Sequence, residues 1–196
     1  MGKLMNELKE ITQEGKGLLL HHWDADGLAS SSILLNNIES EIVTFTPQIG
    51  NYLINQNDKG YIRKINPDYT IITDMALPKD SIDFLNQFGN VMIFDHHLQE
   101  KQDIFYHHNP IIDGRSPEEY PSASWVVNDY MERKPNYLSI LGAFGDREEK
   151  LKENTSAMET INRVLDILES RFKDVLESAY RLETLYKIGS RDKIIE

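Results

Sequence analysis

Residues 69–97, YTIITDMALPKDSIDFLNQFGNVMIFDHH, read as a strand, a helix and a second strand in succession. The apolar runs YTIIT (69–73) and NVMIF (90–94) have the length of buried strands, and Pro78 and Lys79 open a helical stretch that reaches about Phe88. Both runs stop on titratable residues. The first ends at Asp74 and the second at Asp95, His96 and His97.

Working outward, the same alternation repeats. Residues 17–22 (GLLLHH) form a third apolar run, followed after Asp24, Ala25, Asp26 and Gly27 by a helix from about Leu28 to Ile38. Residues 42–45 make a further short strand, and a loop with a short helix leads to Asn66. Strands alternating with helices imply right-handed crossovers, hence an α/β fold with a mostly parallel sheet and helices on both faces. In such sheets ligands bind beyond the carboxyl ends of the strands, where three polar clusters distant in sequence would meet on one rim. The second half changes character. Residues 122–131 and 137–144 look helical, and from Thr155 onward Ile161, Leu165, Leu168, Phe172, Val175, Ala179, Leu182 and Tyr186 follow a heptad spacing. We therefore expect a catalytic-type domain over 1–150 and a long C-terminal helix over 151–196. Its seam over 155–188 calls for a partner, which is its own domain, a second copy of the chain, a partner protein or a further domain.

A chain of 196 residues that is 40% apolar can bury one substantial core. No run of eighteen apolar residues and no signal-peptide pattern is present, so no membrane partner and a cytoplasmic location are expected. The absence of cysteine excludes disulfides, thiolate nucleophiles and zinc fingers, leaving His and carboxylate to hold any metal. A formal charge of −11 disfavours grip on long nucleic acid by backbone neutralisation, although two divalent cations would offset four of those charges. No Gly-rich loop of the phosphate-binding G-x-x-x-x-G-K-[ST] type occurs, and Ser30, Ser31 and Ser32 lack the surroundings of an activated nucleophile.

The residues that carry chemistry lie at the strand ends. His22, Asp24 and Asp26 with Gly27 form H-x-D-x-D-G where a strand should turn into a helix, so an imidazole and two carboxylates can meet hard or borderline cations there. The alternative is an Asp-rich turn in which Asp26 caps the helix. Asp74 is a ligand or a second cap, Asp95, His96 and His97 follow a buried strand directly, and Asp146 ends GAFGD (142–146). Arg115 offers a guanidinium for phosphate or is a solvated loop residue. Ser122 and Ser124 cap the following helix or offer an anion site at its N-terminus. His107 and His108 line the same rim or belong to a strand end without a catalytic task.

Taken together, His22 to Gly27, Asp74, Asp95-His96-His97 and Gly142 to Asp146 resemble the four ordered motifs of the DHH phosphoesterase superfamily. The H-x-D-x-D-G form and Ser122-Ala123-Ser124 most resemble the RecJ-like nucleases of archaeal type. The resemblance implies that His22 and Asp24 bind one Mn²⁺ or Mg²⁺, Asp26 and His96 a second, with Asp74 bridging and Asp146 completing the centre. His97 would contact phosphate and Asp95 would orient the loop by hydrogen bonds. It implies hydrolysis of single-stranded DNA or RNA, from the 5′ end. The second, substrate-clamping domain usual in these enzymes is not apparent, so the same chemistry on short oligonucleotides or small nucleotides is the alternative. A non-catalytic replication or repair scaffold is a third reading, against which stands the filling of every metal position.

Overall fold

Strands β1 (Gly17–His21), β2 (Ile42–Phe45), β3 (Tyr69–Thr73), β4 (Asn90–Phe94) and β5 (Tyr106–His108) pair in parallel, in the order β2-β1-β3-β4-β5. This is the arrangement of a computed structural model that describes residues 5–48 and 50–188. The order reverses between β1 and β3, which are neighbours in the sheet with His21 opposite Thr73. Such a reversal leaves a crevice beyond the carboxyl ends of the two strands.

Side chains alternate across the sheet, which is why near-continuous apolar runs are needed to cover both faces. Leu18, Leu20, Ile72, Val91 and Ile93 pack under Ile62 of α3 (Gln56–Ile65) and Ile82 and Leu85 of α4 (Lys79–Leu85). On the other face Leu19, Ile71, Met92 and Phe94 meet Leu8 and Ile11 of α1 (Met5–Thr12), Ile33 and Leu34 of α2 (Ala25–Leu35), and Val127 and Tyr130 of α5 (Ala123–Tyr130). Each such buried aliphatic side chain contributes roughly 1.5–3 kcal/mol. A third cluster lies outside this layer. There Ile140, Ala143 and Phe144 of α6 (Tyr137–Arg147) pack with Ala25 of α2, Ile161 and Leu165 of α7 (Thr155–Ile167), and Val175 and Ala179 of α8 (Phe172–Ile188).

Three boundaries differ from expectation. Helix α2 begins three residues earlier than Leu28, because Asp24 rather than Asp26 is its cap, accepting the Gly27 N–H at 2.9 Å. Helix α6 continues through Arg147, so Asp146 sits in its last turn and not in a loop. The last helix of the described residues is α8, but the amphipathic stretch before it is a separate helix. Glu169 takes φ +50 and Ser170 donates its N–H to the Leu165 carbonyl, closing α7. Ile161, Leu165, Val175 and Ala179 of the seam are buried in the cluster that also holds Ile140, Ala143 and Phe144 of α6, whereas Leu168 is exposed; the Tyr186 side chain lies outside the described residues. Among the described residues no helix is long and apolar enough to cross a membrane.

Candidate metal centre

The centre is assembled at the carboxyl ends of β1, β3 and β4. After β1 the chain turns at once into α2, and at Gly27 any Cβ would run into the backbone carbonyl of His22. Glycine therefore permits close approach of the two segments, which brings His22 and Asp24 together. His22 Nδ1 lies 2.6 Å from Asp24 Oδ2, while Nε2 of the same ring is buried without a hydrogen bond.

Asp74 follows β3 in the left-handed conformation (φ +57), which costs an aspartate less than most residues. Its N–H donates to the Phe94 carbonyl, so the strain is held by the sheet itself. The side chain is 2% exposed, and neither carboxylate oxygen accepts a hydrogen bond. Oδ2 lies 3.6 Å from His22 Nδ1 and Oδ1 lies 3.5 Å from His96 Nε2. Asp74 thus stands between two groups of donors. Burying a carboxylate without hydrogen bonds costs stability that the neighbouring imidazoles only partly offset.

After β4, Asp95 is fully buried and has its oxygens occupied. Oδ1 accepts the His96 N–H and lies 2.8 Å from His97 Nδ1, and Oδ2 accepts the Gln99 amide. These bonds fix the loop so that the buried His96 ring faces inward, with neither nitrogen hydrogen-bonded, while His97 stays 47% exposed. His96 Nε2 lies 3.7 Å from Asp26 Oδ2 and 3.9 Å from Asp146 Oδ1.

Asp26 and Asp146 come from helices. Asp26 is wholly buried on α2, and its carboxylate receives two backbone N–H groups at the start of α5, Ala123 to Oδ2 (2.6 Å) and Ser124 to Oδ1 (2.9 Å). The N-terminal end of α5 therefore binds an anion that belongs to the protein. Gly142 forms the opposite wall, since a Cβ there would strike Asp26 Oδ1 and the Ser124 hydroxyl. The small residues of GAFGD let α6 press against α2 and carry Asp146 to the cluster. The Asp146 backbone is open to solvent, but its side chain is only 23% exposed and its Oδ2 lies 3.2 Å from Arg147 Nε.

The protonation pattern follows from burial and mutual repulsion. Burial, with Asp24 and Asp26 close by, pushes the Asp74 carboxyl well above its ordinary range, and burial likewise raises Asp26. Burial opposes the charge of His22, but the hydrogen bond to Asp24 and the nearby carboxylates of Asp24 and Asp74 overcome it and lift its pKa to about 10. The reciprocal bond from His22, with the Gly27 N–H, holds Asp24 below the usual value despite its burial. The Asp95 hydrogen bond raises His97. Protons thus supply the positive charge that the cluster lacks. Divalent cations fit it better: unpaired oxygens on Asp74, unpaired ring nitrogens on His22 and His96, and an all-oxygen and imidazole donor set suit Mn²⁺ or Mg²⁺.

Eight of the residues singled out in the sequence are therefore brought together: His22, Asp24, Asp26, Asp74, Asp95, His96, His97 and Asp146. Others lie differently. Arg115 pairs with Glu119 on the surface, over the Tyr120 ring. Ser122 and Ser124 are buried and bonded to each other. Ser122 caps α5 through the Trp125 N–H, while the Ser124 hydroxyl donates to the Ser139 carbonyl. His107 and His108 form the edge strand β5. Sequence reasoning missed Gln99, Arg147 and the rings of Trp23 and Tyr52, which flank His22 at 4.9 and 5.7 Å. The adjacency of Trp23 and Arg147 to motif residues was the only signal available; Tyr52 and Gln99 carry none.

Comparison with known proteins agrees with this geometry. The family model described as "DHH family, N-terminal domain" matches residues 17–161. No curated protein matches. Among solved structures, exonuclease RecJ bound to manganese aligns with TM-score 0.55 and 17% identity over 80% of this chain and 47% of its own. The DHH domain of a member of the s1p family of ribosomal proteins gives 0.59 and 14% over 97% and 55%. CDC45 from Entamoeba histolytica gives 0.55 and 16% over 85% and 37%. The chain spans about half or less of the length of these structures, and at such identities the likeness is one of fold.

Proposed function

The chain belongs to the DHH family, and from that membership and the geometry of its centre we propose a two-cation phosphodiester hydrolase acting on single-stranded nucleic acid in the manner of RecJ. The observation that carries this reading is Asp74, whose two unpaired oxygens face separate donor groups. His22 and Asp24 stand on the Oδ2 side, and His96 with Asp26 and Asp146 on the Oδ1 side.

Two divalent cations in such a place supply Lewis-acid charge to a phosphoryl oxygen and lower the pKa of a bound water toward neutrality. The chain's own residues do the rest. Asp24, Asp26, Asp74 and Asp146 contribute four negative charges that match two divalent cations, so a phosphodiester enters a site without net repulsion. Asp95, fixed by Gln99, keeps His97 at the exposed rim with its proton on the side of Asp95 and its pKa raised. A charged His97 there stabilises the negative charge that grows on the phosphoryl oxygens as the bond breaks.

The net charge of −11 supports a second reading, in which the substrate is a short oligonucleotide and no extended basic track is needed. Cleavage with Mn²⁺ is measured on a long single strand, a dinucleotide and pyrophosphate. Progressive loss of nucleotides from the long strand is the expected result; cleavage of the dinucleotide alone would favour the second reading, and cleavage of none would overturn both.

A further inference from the structure

Arg147, whose Nε lies 3.2 Å from Asp146 Oδ2, also lines a cavity of about 270 Å³ together with Lys150, Pro117, Glu118, Glu153 and Asn154. We propose that Arg147 and Lys150 hold a second phosphate of the substrate there, next to the one undergoing hydrolysis. The proposal rests on the phosphodiesterase reading and narrows it to substrates with at least two phosphate groups.

Three observations carry it. Arg147 is pinned by its Nε, 3.2 Å from Asp146 Oδ2 and donating to the Pro121 carbonyl at 3.1 Å. Among the described residues this is the only hydrogen bond its guanidinium donates, so the Nη edge is oriented, 38% exposed and unspent. A fixed guanidinium edge matches two phosphate oxygens and loses little freedom on binding. Second, Lys150, on the short 3-10 turn Glu148–Glu153 that follows α6, adds a second cation to the same cavity and makes no ion pair among the described residues. Third, the opposing charges are unequal in weight: Glu118 accepts a hydrogen bond from the Ser116 hydroxyl, whereas Glu153 has no such partner among the described residues and counteracts an anion. Because Arg147 Nε touches Asp146, an anion on its open edge is linked to the candidate centre through one side chain.

The test compares bis(p-nitrophenyl) phosphate, with one phosphodiester, and a thymidine dinucleotide phosphorylated at both ends. Lys150→Gln and Arg147→Lys are expected to lower the ratio of kcat/KM for the dinucleotide to that for the simple diester by about ten-fold or more, the value of a lost charge-assisted hydrogen bond. Glu153→Gln is expected to raise it. In metal-free protein, inorganic phosphate is expected to shift the Arg147 Nε–H resonance, and more weakly so in Lys150→Gln. If wild type cleaves both substrates and none of the three variants changes the ratio, the subsite is overturned. If wild type cleaves neither, the phosphodiesterase reading fails, and an Arg147 resonance that phosphate leaves unmoved overturns the subsite as well.

Discussion

Ser124 donates its backbone N–H to Oδ1 of Asp26 at 2.9 Å, joining two helices whose contact residues lie 98 positions apart in the chain. With the Ala123 N–H on Oδ2, this bond makes Asp26 part of the fold as well as of the candidate centre. Asp74 is the opposite case, buried with no hydrogen bond to either oxygen.

The two aspartates should therefore separate stability from activity. Asp26→Ala strands two buried N–H donors and should cost about 1–3 kcal/mol for each one left unsatisfied. Asp74→Asn removes an unpaired buried acid at a position whose left-handed backbone asparagine tolerates, so metal-free stability should hold or rise. Both should lose hydrolysis. Urea unfolding in chelator checks the pair, and equal destabilisation of the two variants would contradict the division of roles.

Gly142→Ala tests how tightly α6 must approach. In an ordinary helix the change stabilises by about 1 kcal/mol. Here the new methyl meets Asp26 Oδ1 and the Ser124 hydroxyl, an overpacking that costs about 1–3 kcal/mol. We expect a lower melting temperature together with weaker Mn²⁺ uptake, because Asp26 is displaced. A raised melting temperature would show that α6 has room.

His108 gives a pH dependence away from the centre. Burial lowers its pKa, and it stands among Phe94, Tyr106 and Tyr130 with Nε2 unbonded. Above its ordinary value near 6.5 it is neutral in both folded and unfolded chains. As pH falls below that, the unfolded chain takes up the proton first, so stability declines until the folded-state pKa is also passed. His108→Phe keeps the backbone bond from the Asp95 N–H to the carbonyl at 108 and removes the titration. The variant should lose less stability than wild type between pH 6.5 and acid. Parallel curves would mean that His108 does not carry the effect.

Much of this was legible because strand ends are local events. The runs at 17–21, 42–45, 69–73 and 90–94 are predominantly apolar, since both faces of a parallel sheet are covered, and each of the three that carry motifs stops where the centre begins. What stayed hidden depends on distance or on unusual backbone. No local signal links Asp26 to α5. The end of α7 has no glycine or proline to mark it, because Glu169 takes a left-handed conformation that glycine usually fills. The heptad spacing runs through that break unchanged, since both helices bury seam residues in the same cluster.

The central claim is that Asp74 stands between two cations. Titration of metal-free protein with Mn²⁺, followed by electron paramagnetic resonance, tests it most directly. The account predicts two ions per chain with a spin-coupled signal, and loss of that coupling in Asp74→Asn. A single ion, or two uncoupled ions bound as well in Asp74→Asn as in wild type, would contradict it.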